Sequence, residues 1–363
     1  MLQCMSAFSS LAGSTMADSW PMTRVMAGMS AVPVGHAIDL AYFFPRHQSP
    51  HDALIAETRR HLGGCVAAIE TGLRVLVDHI PEVSSALESW PDLLCWRMIC
   101  DQPTLLGPPL LAHMRMRAGV SLMLRYGGAV DAAAQECEDA ALPETDPALA
   151  DGLAALALAE GRWMSLGGEN QPMRPDLPAE HFAELMWAVV ACLAAVARRN
   201  ASEGGDRLLA GFERAGWAML ADHDESMSPL MEADRLVRQL GEQSAETTLL
   251  DTALSGRRFL LFAGLAANRL RMEITQVVDI LVTGPLPPLA MLCRALGGSD
   301  ADYRHLLLAL RPGRPELTDV ALVAAAAEYQ ALSEQDAHAG VAALRTPASL
   351  RAKLGHLLGA MAA

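Results

Sequence analysis

The sequence predicts an all-α protein, and three observations carry that expectation. The apolar mass is mostly Ala, Leu, Val and Met, with aromatics at only 5%. Ala and Leu favour helices, whereas strands favour β-branched and aromatic residues. Apolar positions recur at helical spacing along most of the chain beyond residue 49. No stretch alternates with period two for long enough to make a strand. The expected architecture is stacked antiparallel helix pairs, a HEAT-like bundle or solenoid.

Residues 1–48 carry Ser, Gly, Pro and Met without periodicity and read as a weakly ordered tail. The first residues lack a basic region, so no signal peptide is expected. Order begins at Ser49-Pro50-His51-Asp52, with Ser at a cap and Pro at the first helical position. The helix that follows reaches about Val77. Shorter helices are expected over 83–100, 104–125 and 131–140, punctuated by Pro81, Pro91 and Pro103, and another from Asp146-Pro147 to about Met164.

Residues 165–178 hold Gly and Pro at high density and break all periodicity. They read either as a linker between two helical lobes, 49–164 and 179–363, or as a long loop. Helices then return over 179–199, 206–221, 229–241, 245–270, 274–283, 287–296, 301–311, 316–331, 334–344 and 348–361. Ser228-Pro229 and Thr346-Pro347 repeat the cap-plus-Pro start. Ser299-x-x-Asp302 and Ser333-x-x-Asp336 resemble capping boxes. Leu208-Leu209 and Leu249-Leu250 open helices 41 residues apart, the size of a HEAT-type pair.

Composition excludes some function classes. A net charge of -14 disfavours nucleic acid. Seven cysteines without a CxxC read as reduced, buried thiols in a cytoplasmic protein. The longest apolar run, Leu185–Ala197, is too short to cross a bilayer and reads as a core helix.

Chemical motifs are sparse. HExxH, GxxxxGK[ST] and GxSxG are all absent. His47 and His51 lack a third metal ligand nearby in sequence. The Gly pairs, including Gly63-Gly64 and Gly127-Gly128, read as helix ends and turns. His223 lies in an acidic polar turn, which invites an acid–base role but reads better as a capped loop. His61, after Arg59-Arg60, reads as exposed and open to a phosphotransfer role. Trp90, Trp96, Trp163, Trp187 and Trp217 read as core anchors. No catalytic residue, cofactor or metal is expected.

Charge patterning says more. From Arg257 to Arg314 there are eight arginines and four acids, a local +4 that leaves -18 for the remainder. Arginine forks suit carboxylates and phosphates. The candidate partner-binding residues are therefore Arg257, Arg258, Arg269, Arg271, Arg294 and Arg304, facing a protein partner with an acidic surface. The competing reading is that these arginines pair with acids inside the chain.

Ala253-Leu254-Ser255-Gly256-Arg257-Arg258-Phe259-Leu260-Leu261-Phe262, the helix Gln276–Val282, Leu289–Gly297 and Tyr329–Ser333 together carry a likeness. The chain resembles the DUF2336 family of alphaproteobacterial proteins, a domain of unknown function, most closely over about 230–345. The family more often carries an acid where Arg257-Arg258 follows Gly256, so no role of that acid transfers. The resemblance implies an all-helical fold of stacked pairs and no activity. The expected function is a non-enzymatic interaction or regulatory scaffold. The alternatives are a pocket between the lobes that binds or converts a small ligand, and, more weakly, phosphotransfer through His61.

Overall fold

The computed structural model describes residues 53–134 except 89 and 91, then 147–164, 167–200, 205–346 except 315, and single positions at 350, 354 and 357. Among these residues the protein is all-α, with fifteen helices and no strand. The expected tail over 1–48, the Ser49-Pro50 start, His47, His51, Cys4, Trp20 and Cys137 lie outside the described residues.

The helices are α1 (Ala53–Val77), α2 (Pro81–Glu88), α3 (Cys95–Asp101), α4 (Pro108–Ala134) and α5 (Pro147–Met164). Then come α6 (Ala179–Asn200), α7 (Gly205–Ala221), α8 (Pro229–Leu240), α9 (Thr247–Ser255) and α10 (Phe259–Leu270). The last five are α11 (Ile274–Val282), α12 (Leu286–Ala295), α13 (Asp300–Leu310), α14 (Asp319–Gln330) and α15 (Glu334–Arg345).

The expected caps at Ser228, Ser299 and Ser333 form, while Pro347 of the Thr346-Pro347 start and most of the helix expected over 348–361 lie outside the described residues. Ser228 accepts from the Met231 N–H with Pro229 at the first position, and Ser333 accepts from Asp336. Ser299 and Asp302 close a full capping box. Each such cap contributes about 1 kcal/mol.

Three boundaries differ from expectation. The helix expected over 83–100 is two short helices. The buried Glu70 carboxylate of α1 takes the Leu94 and Cys95 N–H groups at 3.1 and 2.9 Å, which starts α3 afresh. Asp131–Ala134 continue α4, and the rest of the helix expected there lies outside the described residues. The helix expected over 245–270 is two, broken at Gly256–Arg258.

Two apolar cores carry the packing. One gathers α1, α2, α3, α6, α7 and the first turns of α4, through residues such as Leu62, Leu110, Leu185 and Phe212. The other gathers the middle of α4 and α5 with α8–α15, through Met116, Trp163, Leu260, Val277 and Leu307. Helix α4 therefore feeds both, and both cores span positions before and after 165–178. Sequential neighbours pack, as α6 does on α7, but so do distant ones: α1 on α4, α5 on α8, α12 on α15.

The described part of the expected linker, 167–178, lies along α1. Glu169 takes a bidentate grip from Arg59 at 2.9 and 3.2 Å and an indole N–H from Trp96 at 2.8 Å. The Met173 N–H donates to the Gly64 carbonyl at 2.9 Å. A Cβ on Gly63 would sit 2.3 Å from the Glu169 carbonyl oxygen. Gly63-Gly64 is thus mid-helix and makes room for this loop, not a helix end as the sequence suggested. Gly127-Gly128 likewise falls inside α4.

The tryptophan expectation holds for Trp96 and Trp163, which are buried. Trp217 is 59% exposed and meets Trp187 edge-on at 5.3 Å, and Trp90 is half-exposed. Cys65, Cys95, Cys192 and Cys293 are buried free thiols. One described helix, Ala179–Arg199, is long and apolar enough to cross a membrane by length and composition, and half of its most apolar stretch is buried against the core.

Candidate functional site

The turn between α9 and α10 holds the first two candidate arginines. Helix α9 ends at Ser255, and the Arg258 N–H reaches back to the Ala253 carbonyl at 2.9 Å while the Arg257 N–H reaches Leu254 at 3.1 Å. This pair of bonds makes a Schellman ending, in which the residue at the Arg257 position takes the left-handed conformation. Arg257 does so, at φ 53°. Glycine takes that position at no steric cost, whereas an L-residue gives up about 1 kcal/mol. The end of α12 shows the ordinary solution, with Gly297 at φ 87° and Gly298 bonded back to Cys293.

Arg271, after α10, repeats the exception at φ 51°, with Met272 bonded back to Ala267. Two arginines thus stand at helix ends where glycine is cheapest. They bracket α10, whose twelve residues hold them roughly 18 Å apart along the axis.

Each arginine of the turn lines a different hollow. Arg258 borders one of about 560 Å³, walled by Leu149, Leu153, Ala154, Leu156 and Ala157 of α5. Glu160 stands in the same hollow. Burial pushes its carboxyl up to about 7, against the opposing pull of Arg258. Arg257 borders one of about 400 Å³, walled by Met123, Ala253, Leu254, Phe259, Leu308 and Pro312, with His305 on its rim. Both are apolar troughs with a guanidinium at the edge, a combination that suits an amphipathic segment bearing a carboxylate.

The other candidates divide. Arg269 lines a third, smaller hollow with Asp251 and Asp302. Arg271 is exposed. Arg304 is exposed, and its Nε donates to the Asp300 carbonyl of its own helix. Arg294 is committed inside the chain. It meets Asp300 at 3.1 Å, donates to the Tyr329 carbonyl at 3.0 Å and lies 3.9 Å over the Tyr329 ring. It therefore braces α12 against α14, joining two of the segments that carried the family likeness. Internal pairing also takes Arg311, to Asp319, and the buried Arg314, which donates to the Leu281 and Gly284 carbonyls at the end of α11.

His61 is not exposed, contrary to the sequence reading. It is fully buried. The Arg117 Nε–H donates to its Nδ1 at 2.9 Å, and its Nε2 faces both the Glu57 carboxylate at 2.9 Å and the Arg60 guanidinium at 2.8 Å. Burial and the Arg117 charge hold His61 down to about 3. Glu57 also takes Ser121 and Arg125, both at 2.6 Å, together with Arg60. Burial works against the Glu57 carboxylate, but these donors outweigh it and hold the group far below the usual range. The cluster locks α1 to α4 and, through the Trp163 carbonyl, to α5. It gives a phosphate donor no access to His61. His223 is a half-buried loop residue, as expected: its Nε2 bonds the Leu177 carbonyl at 2.8 Å and its ring stacks on Phe182. No group of three or more metal-ligating side chains converges among the described residues.

Sequence reasoning singled out the arginines of the turn for their charge but not Glu160, His305 or the apolar walls that line the same hollows. Met123 and Leu149 lie more than a hundred residues from Arg257, and no local pattern joins them.

Residues 172–342 match DUF2336, a family described as an uncharacterised protein conserved in bacteria. No curated protein and no solved structure matches the chain.

Proposed function

With residues 172–342 matching the DUF2336 family, we propose that the chain is a non-enzymatic helical interaction protein that docks an acidic protein segment on the Gly256–Arg258 turn. The observation that carries this reading is Arg257 in the left-handed position of a helix ending. Side chains held at a conformational cost cluster at sites of use. Arg257 and Arg258 open onto two apolar troughs, so one docked segment can seat apolar side chains and bring carboxylates to the guanidiniums. The -14 charge of the chain does not oppose this, since the window from Arg257 to Arg314 is locally +4.

The test is affinity purification of the intact chain from its native host beside two charge-reversed variants. Arg257→Glu/Arg258→Glu loses the partner. Arg271→Glu/Arg304→Glu, equal in charge change and lining neither trough, keeps it. If both variants behave alike, the turn is not the docking surface.

A further inference from the structure

Helices α6 and α7 pack side by side, and each leaves one stripe in the open. On α6 it is Trp187, Ala191, Ala194 and Arg198, at i, i+4, i+7 and i+11. On α7 it is Arg207, Ala210, Arg214, Trp217 and Ala221, at i, i+3, i+7, i+10 and i+14. Trp187 and Ala194 are half-buried and the other seven are exposed. Both spacings keep to one side of a helix. The stripes join in one face. A Cβ on Gly216 would sit 2.8 Å from the Trp187 ring, so that ring lies across the α7 backbone, and it meets Trp217 edge-on. The alanines keep the rest of the face low. Helix α6 is also apolar enough to span a bilayer, yet half of its most apolar stretch stays outside the core.

The two ends of this face differ in sign. Trp187 and Trp217 stand about equally far along the chain from the connection between the helices, so α6 and α7 run antiparallel. Arg198, Arg199 and Arg207 are exposed at the end nearer that connection. Glu180 and Asp222 are exposed at the other end. The Ala179 N–H donates to Glu225 at 2.8 Å, which brings the turn after α7 against the start of α6. Arg214 and Glu213, both exposed, lie between the ends. None of these seven charged side chains forms an ion pair among the described residues. Along α6, Glu180 and Arg198 stand roughly 27 Å apart.

We infer that the α6–α7 face binds the same face of a second copy in a two-fold symmetric dimer. A two-fold axis lying in the face and across the helices sets the basic end of one copy over the acidic end of the other, twice, as an isologous interface requires. Arg198 then opposes Glu180, and Arg207 opposes Asp222. The same rotation brings Trp187 of each copy over Ala191 of the other, a large ring on a small residue. Near the axis, Arg214 of one copy meets Glu213 of the other. Helices of 22 and 17 residues side by side offer roughly 600 Å² per copy, and the two copies together reach the lower end of the ~1,200–2,000 Å² of a stable interface. An anionic bilayer would suit the arginines but would meet Glu180 and Asp222 with like charge. Only a surface with both signs answers both ends, and the face itself is such a surface.

Sedimentation of the full chain over a micromolar concentration series tests this. The expected result is a dimer at the upper end. Arg198→Glu/Arg207→Glu turns the basic end acidic, and Glu180→Arg/Asp222→Arg turns the acidic end basic. Each variant alone should raise the dissociation constant about tenfold or more, because like charges then meet at both ends. An equal mixture of the two variants should dimerise again, as a heterodimer read by different tags, because each end regains an opposite charge. A folding defect in either variant could not be repaired by mixing. A monomer at every concentration, a dimer that ignores both double variants, or a loss that mixing does not restore would each overturn the inference. So would a monomer that sediments with phosphatidylglycerol vesicles, which would give the face to a bilayer.

Discussion

At the scale of single residues, Arg257 trades stability for use. Arg257→Gly relieves the left-handed strain and should raise stability by about 1 kcal/mol, read as a higher melting temperature. The same variant should bind the partner less well. A variant that loses stability as well would mean that the Arg257 side chain holds the turn together. Glu160 makes a second prediction. Its carboxyl sits near 7 beside Arg258, so acidification from about pH 8 to about pH 6.5 removes a negative charge from the trough. An acidic partner should bind more tightly at the lower pH, and Glu160→Gln should flatten that dependence.

The buried cluster predicts acid lability. His61 and His113 are each held down to about 3, by burial first and then by Arg117 for His61 and by His181 for His113. An unfolded histidine titrates near roughly 6.5. Below that the unfolded chain takes up protons that the folded chain refuses. Stability therefore falls as pH drops toward about 3, by up to about 1.4 kcal/mol per pH unit for each histidine. Glu57 adds to the loss once the pH passes below the usual carboxylate range. Melts of His61→Gln across this window should show a shallower slope than the natural chain. Glu57→Ala, which removes the buried acceptor shared by Arg60, Ser121 and Arg125, should cost about 3–5 kcal/mol by denaturant titration. None of this was visible in the sequence, where Arg59-Arg60-His61 reads as a polar surface. Burial follows from Ser121 and Arg117 on α4, two helical positions distant in sequence that close over the His61–Glu57 pair.

At the scale of elements, existence was legible and boundaries were not. The Ser228, Ser299 and Ser333 caps act within a few residues, so local pattern sufficed. The break between α9 and α10 was missed because Gly256 has ordinary angles and the strain falls on Arg257, which carries no local breaker signal. The start of α3 depends on Glu70 of another helix. Gly63-Gly64 was misread for a similar reason: pattern marks glycine as punctuation, while its use here is to admit the loop around Glu169. Gly63→Ala should push that loop off α1 and cost about 1–3 kcal/mol. Hydrogen exchange should then rise over 167–178 while α9 and α10 stay protected. Unchanged exchange in the loop would show that the close approach does not matter.

At the scale of the whole molecule, composition and periodicity were enough for an all-α fold. They could not show that α4 serves two cores, or that α12 finds α15 past two intervening helices. The arginine-rich window was legible as charge, but its division was not. Arg294, Arg311 and Arg314 hold the chain together, Arg269 and Arg271 lie at the far end of α10, and Arg257 and Arg258 alone open onto the two troughs. The central claim is that a partner sits over those troughs. A photoactivatable side chain at Leu308, which is 55% exposed on the trough rim, tests it most directly, with the same probe at Leu209 on α7, 53% exposed, as the distant comparison. The predicted result is a crosslink to the partner from Leu308, none from Leu209, and loss of the Leu308 crosslink in Arg257→Glu/Arg258→Glu. Equal crosslinking from both positions, or a Leu308 crosslink that survives the double reversal, would contradict the account.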